Sequence, residues 1–252
     1  MRLRSIAVLT VLLLAISPTA NSYTALTIDQ IPGVFKELTA NRALANPAVV
    51  LIDIKSRQVV FSRDGNGLRR PASTLKVLSA MSALDYLEPT TTFSTTIYKT
   101  DLRNTFQIVG EFDPSITPDY QLAKSENFIW SNFLVNKIRA NSKSRNITIR
   151  YYGITSRTQI NMSNTFRRLG YRVAWRPVNQ ANSTTHLAAE ITSVNSPDLA
   201  TILKHTLLWS ENYYAEYLAR IAAMKAGYTY DGSGINKVFH DVLNKAEIPN
   251  PE

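Results

Sequence analysis

A chain of 252 residues, 44% hydrophobic and 19% charged, has the size for one large domain or two small ones and no low-complexity tract or internal repeat. Its net charge of +9 and pI near 9.7 suit an anionic neighbour: a wall polymer, a membrane surface or nucleic acid. That charge is read as spread along the chain, which does not choose among them. The lack of any cysteine excludes thiol catalysis, thiolate metal sites and disulfides.

The first 22 residues combine a basic start (Met1-Arg2-Leu3-Arg4), an apolar run over 6–16 and small residues over 17–22, the pattern of a secretory signal peptide. No Cys follows to carry a lipid anchor. Export without disulfides fits a bacterial periplasm, wall or extracellular space, and it argues against a nucleic-acid partner. Residues 28–44 have the periodicity of an amphipathic helix. Residues 47–54 and 58–62 read as a β-hairpin turned by Lys55-Ser56-Arg57. After a loop over 63–67 comes Arg70-Pro71-Ala72-Ser73-Thr74-Leu75-Lys76. It leads into a helix whose expected apolar stripe is Val77, Leu78, Met81, Leu84 and Leu87.

Residues 90–98 and 106–109 read as strands, with a turn over Gly110-Glu111-Phe112-Asp113-Pro114. A helix is expected over 127–140, a strand over 147–152 and an extended segment over 171–175; residues 157–170 fit neither template well. Together 90–182 form an expected inserted α/β module. A short apolar run over 186–191 follows. Ser196-Pro197-Asp198 then opens a helix, with Ser196 as its N-cap and Pro197 at the first helical position. A second helix follows the interruption Trp209-Ser210-Glu211-Asn212 and ends near Gly227. A third begins near Ser233 and is stopped by Pro249.

Ser73-x-x-Lys76 sits where an extended segment becomes a helix. Side chains three apart share a helix face, so the Lys76 amine reaches the Ser73 hydroxyl. Free backbone N–H groups and the positive end of the helix dipole lie beside it. Nucleophile, amine base and oxyanion donors are the parts of acyl-enzyme chemistry. Taken alone, a helix-start serine is more often a cap, and Ser210-x-Asn212 between two helices has the same plain reading. His186, His205 and His240 match no metal spacing, so no metal site and no cofactor is expected. Trp130, Trp175 and Trp209 read as packing, and Arg167-Arg168 as a solvated face.

Ser-x-x-Lys and Ser-x-Asn in this order are two of three signature elements of penicillin-binding proteins and serine β-lactamases. The surrounding residues resemble the D-alanyl-D-alanine carboxypeptidase/endopeptidase family, the class C low-molecular-mass penicillin-binding proteins. The resemblance runs through Pro71-Ala72-Ser73-x-x-Lys76, Ser193 to Arg220 with Tyr214-Ala215-Glu216, and the 110–114 turn, a worn copy of Gly-x-Gly-Asp-Pro. It implies an α+β transpeptidase-like fold, a helical cluster against an antiparallel sheet. Residues 23–89 and 183–252 would form this domain, and 90–182 would be the insertion.

The family's Lys-Thr-Gly is missing. Asp231-Gly232-Ser233-Gly234 imitates only the element before it, so a chain truncated before the last sheet strands is expected. The resemblance further implies peptidoglycan stem peptides as substrate and β-lactam antibiotics as acylating inhibitors. Ser73 would be the nucleophile, and Lys76, partly desolvated, would take its proton. Ser210 would relay a proton to the leaving amine, and Asn212 would bind the substrate carbonyl. With the third motif absent, weak or no turnover is expected. The alternative is a non-catalytic envelope protein that uses its basic surface to bind wall polymers. A β-lactamase is disfavoured, because no deacylating Glu stands out.

Overall fold

The structure, a computed structural model, describes residues 26–247. The expected signal segment 1–22 and Pro249 lie outside the described residues. The chain divides into two compact units at Arg70/Pro71.

In the first unit, helix α1 (Ile31–Thr39) precedes strands β1 (Val49–Ile52) and β2 (Val59–Arg63). The strands form the expected antiparallel hairpin, with Val49 opposite Arg63 and a register shift between Leu51 and Ile52. The rings of Phe35 and Phe61 lie 6.1 Å apart, and Arg63 donates to the carbonyl of Thr39, so α1 packs on the hairpin. The helix is shorter than its periodicity suggested. Asn41 Oδ1 accepts from Ala43 N at 2.9 Å, a local bond that competes with helical continuation.

The second unit opens with a 3₁₀ turn, Ala72–Thr74, continuous with α2 (Leu75–Tyr86). There follow β3 (Ser94–Thr100), β4 (Thr105–Gly110), α3 (Tyr120–Ser125), α4 (Ser131–Asn141), β5 (Asn146–Tyr152), α5 (Ser156–Arg168), β6 (Arg172–Pro177) and β7 (Leu187–Asn195). Helices α6 (Leu199–Leu208), α7 (Asn212–Lys225) and α8 (Gly232–Lys245) complete it. The strand order is β6-β5-β4-β3-β7; β3 pairs antiparallel with β4 and β7, and β4-β5 and β5-β6 are parallel. The expected module edge at 182 falls short of this sheet, whose last strand runs to Asn195.

One face of the sheet is packed. Ile97, Ile108, Ile149, Leu134, Ile138 and Phe166 share a core with partly buried Val173 and Trp175. The undecided stretch 157–170 is helical because Thr155 caps it, accepting from Thr158 N at 3.1 Å, and because Met162 and Phe166 fall one turn apart on the core side. Its polar remainder hid that stripe.

The 110–114 turn closes on the end of β5. Gly153 has φ +66°, and a Cβ there would stand 1.7 Å from the carbonyl oxygen of Gly110. Only glycine fits so close a backbone approach.

Two expectations about the helices are corrected. The cap of α6 is Asp198, which accepts from Thr201 N at 2.9 Å. Ser196 instead accepts from Phe93 N at 2.9 Å and donates to Pro197 O at 2.6 Å, tying the helix start to the strand end. The apolar stripe of α2 holds only in part: Leu87 is buried and Leu78 half-buried, but Val77, Met81 and Leu84 are exposed, while Lys76, Ser79, Ala80, Ser82 and Ala83 are buried. The reason lies in α7, whose packed face is also small: Ala215, Ala219, Ala222 and Ala223. Small side chains on both helices allow close axial approach, which larger apolar residues on α2 would prevent.

Candidate active site

The turn at Ala72–Thr74 lifts Ser73 to the start of α2 and leaves its side chain exposed, while Lys76 one turn later is 7% exposed. Lys76 Nζ donates to Ser73 Oγ at 3.1 Å. Across the unit, Ser210 Oγ donates to the same oxygen at 2.9 Å. Three predicted residues, two of them 137 positions apart, therefore converge on one hydroxyl oxygen. Asn212, the fourth, is the first residue of α7. It lines a cavity of about 190 Å³ together with Leu75, Lys76, Ser79 and Glu216.

Ser210, and Ala72 next to Ser73, are held in costly backbone conformations. Ala72 has φ 46° and Ser210 has φ 56°, in the left-handed region that disfavours side chains. Ser210 occupies the position after the α6 cap residue Trp209 where helices usually end on glycine, and Glu211 N closes the turn onto Thr206 O at 3.0 Å. A serine in place of glycine there costs on the order of 1 kcal/mol. What it adds is a hydroxyl directed at Ser73.

Sequence reasoning missed what holds this turn. Tyr213, next to Asn212, pairs its hydroxyl with Thr155 Oγ1 at 2.8 Å, and the Arg157 guanidinium lies 4.3 Å from the centre of its ring. One turn on, Tyr217 OH pairs with Ser156 Oγ at 2.9 Å. The start of α5 thus clamps the start of α7. Burial raises the Tyr213 phenol well above the ordinary tyrosine range, so it stays a neutral hydroxyl. The doubled Tyr213-Tyr214 was the only sequence signal, and it does not separate a clamp from core packing.

The 110–114 turn holds a second buried polar group. Asp113 is 1% exposed; its Oδ1 accepts from Ser115 N at 2.7 Å, and Oδ2 has no partner. Burial pushes its carboxyl up to about 7, and the Glu111 charge adds to this, against the hydrogen bonding of Ser115. The histidines are apart from each other. His186 Nδ1 lies 3.0 Å from Asp101, and His205 is buried among Phe128 and Tyr214. Among the described residues no three His, Cys, Asp or Glu side chains are grouped to hold a metal.

A hydroxyl that receives hydrogen bonds from an amine and a second hydroxyl, at a helix start, is the arrangement of a serine acyl-transfer site. Residues 35–127 match the model of the D-Ala-D-Ala carboxypeptidase 3 (S13) family. Penicillin-binding protein 4 of Haemophilus influenzae superposes with a TM-score of 0.60 at 12% identity, covering 89% of this chain and 72% of that one. The same protein in complex with a β-lactam gives 0.57 at 13% identity, over 86% and 70%. A predatory peptidoglycan endopeptidase of Bdellovibrio bacteriovorus gives 0.47 at 18% identity, over 79% and 60%. No curated protein sequence matches the chain. The fold is that of a penicillin-binding protein. The chain's likeness to the S13 D-Ala-D-Ala carboxypeptidases is one of sequence over residues 35–127.

Proposed function

We propose that this protein is an exported serine-type D-Ala-D-Ala carboxypeptidase or endopeptidase acting on peptidoglycan stem peptides, with Ser73 as nucleophile. The observation that carries this reading is the convergence of Lys76 Nζ and Ser210 Oγ on Ser73 Oγ. Lys76 takes the hydroxyl proton as Ser73 Oγ attacks the carbonyl of the penultimate D-Ala. The developing oxyanion meets the backbone N–H of Ser73. The peptide bond breaks, and the proton passes from Lys76 through Ser210 to the leaving D-alanine amine. Water then enters, Lys76 again accepts a proton, and the acyl-serine ester is hydrolysed. Asn212, which lines the cavity beside Lys76, hydrogen-bonds the substrate's amide. Penicillin-type β-lactams acylate the same oxygen by opening their ring.

The test is the intact mass of the chain and of Ser73→Ala after incubation with a penicillin. A covalent adduct on the first and none on the second is expected. No adduct on the folded chain would refute the nucleophile and favour a non-catalytic wall-binding protein. An adduct that survives Ser73→Ala would move the chemistry elsewhere.

A further inference from the structure

The positive charge of this chain is not spread evenly. Residues 127–189 hold eight Arg and two Lys and no Asp or Glu in 63 positions. The fold brings this run together at one edge of the second unit, as α4, β5, α5 and β6. None of the ten pairs with a carboxylate among the described ion pairs.

The strand register sorts them. Val173 and Trp175 pack against the core, so Arg172 and Arg176 of edge strand β6 point to the opposite, open face, and both are exposed. Arg150 on β5 stands opposite Arg176 in register and leans on the 178–186 loop, donating to Thr185 Oγ1 at 2.9 Å. Arg145, just before β5, turns to the other side: its guanidinium lies 3.1 Å from where a Cβ on Gly170, past the end of α5, would stand. A shallow groove of about 400 Å³ runs past Asn146, Thr148, Arg172 and Ala174.

Some of these arginines have a separate structural use. Arg167 and Arg168 suit the negative end of α5, and charges on β6 guard an open sheet edge. Those uses do not require that every acidic residue be absent. Like charges directly opposed across strands, as Arg150 and Arg176 are, destabilise a sheet. A surface shaped for solubility alone mixes both signs.

We propose that the open face of β5-β6, with Arg150, Arg172 and Arg176 at its centre, docks a linear phosphate polymer that carries no bases. Arginine outnumbers lysine eight to two, and its planar fork matches phosphate oxygens. A lipid surface is disfavoured, because the large exposed apolar side chains of this run, Phe133 and Ile160, sit on α4 and α5 rather than beside Arg172 and Arg176. A base-bearing polymer is disfavoured, because Tyr151, Tyr171 and Trp175 are packed against the core and leave no stacking platform. This surface is independent of the Ser73 chemistry.

The experiment is calorimetric titration of the full chain with long-chain inorganic polyphosphate at about 50 mM and about 200 mM salt. Binding that weakens at least tenfold over that range is expected. Arg172→Glu with Arg176→Glu should weaken it roughly tenfold or more at the lower salt. Lys55→Glu with Lys204→Glu, which makes the same change in net charge elsewhere, should alter it by less than about threefold. Arg172→Gln with Arg176→Gln, a milder change, should weaken it in the same direction and covers the case in which the reversed pair fails to fold. No binding, or an equal loss in the Lys55/Lys204 control, overturns the proposal. So does tighter binding to single-stranded DNA or to phosphatidylglycerol vesicles at equal charge.

Discussion

Replacing Asp113 by Asn tests whether burial of that carboxyl makes stability depend on pH. The carboxyl is enclosed, one oxygen has no partner, and its pKa stands at about 7 against 3.8 when solvated. The sign follows from proton binding. Between about pH 4 and pH 7 the unfolded chain has released this proton while the folded chain keeps it, so unfolding releases a proton and stability falls as pH rises. Below about pH 4 both states are protonated and the penalty vanishes; above about 7 it is complete. Roughly three pH units at 1.36 kcal/mol each give about 4 kcal/mol, a large share of a typical folding stability of about 5–15 kcal/mol. Asn keeps the shape and cannot ionise. Urea unfolding of both proteins at about pH 4.5, 6 and 8 reads the difference directly. Asp113→Asn should gain on the wild type by about 3 kcal/mol between the extremes. A difference that stays constant across pH would refute the reasoning and mean that the charged carboxylate is solvated in the fold.

Gly153→Ala places a Cβ against the Gly110 carbonyl at a positive φ, so it should cost at least about 4 kcal/mol or prevent folding, read from the thermal midpoint. Ser210→Gly should stabilise the fold by about 0.5–1 kcal/mol by relieving the left-handed serine, while slowing adduct formation with penicillin; stability and reactivity would move in opposite directions. Tyr213→Phe should cost about 1 kcal/mol and slow acylation without abolishing it, since Thr155 keeps Thr158 as a partner at 2.9 Å. Unchanged acylation in that variant would show that the clamp does not position the Ser210 turn.

The candidate site was largely legible in the sequence, because Ser-x-x-Lys and Ser-x-Asn are local patterns whose roles do not depend on knowing the fold. Which helix face is buried was not legible. The apolar stripe of α2 pointed one way, and the Ala-rich face of α7, more than 130 residues later, decided the other. Propensity missed α5 for a related reason: its core contact rests on Met162 and Phe166 with threonines beside them, too few apolar positions to set a period. The clamp on Tyr213 joins residues 58 positions apart, and no local pattern encodes such a meeting. Net charge, read as a single total, likewise concealed a run without any acid that only the sheet edge gathers into a surface.

Strands β3 and β7, the first and last of their sheet in chain order, are hydrogen-bonded neighbours, with Ser94 opposite Asn195. The polypeptide therefore departs from the helical cluster and comes back at a single seam. Everything between is an excursion that meets the helical cluster again where Thr155 and Ser156 pair with Tyr213 and Tyr217. Its loops away from α5 can lengthen without changing the separation of the Ser73 and Ser210 oxygens. Nicking the chain at the 101–104 turn would leave two fragments that share this seam, and their reassociation would restore the same pair of oxygens. One antiparallel pairing thus separates growth of those loops from the placing of the reacting atoms.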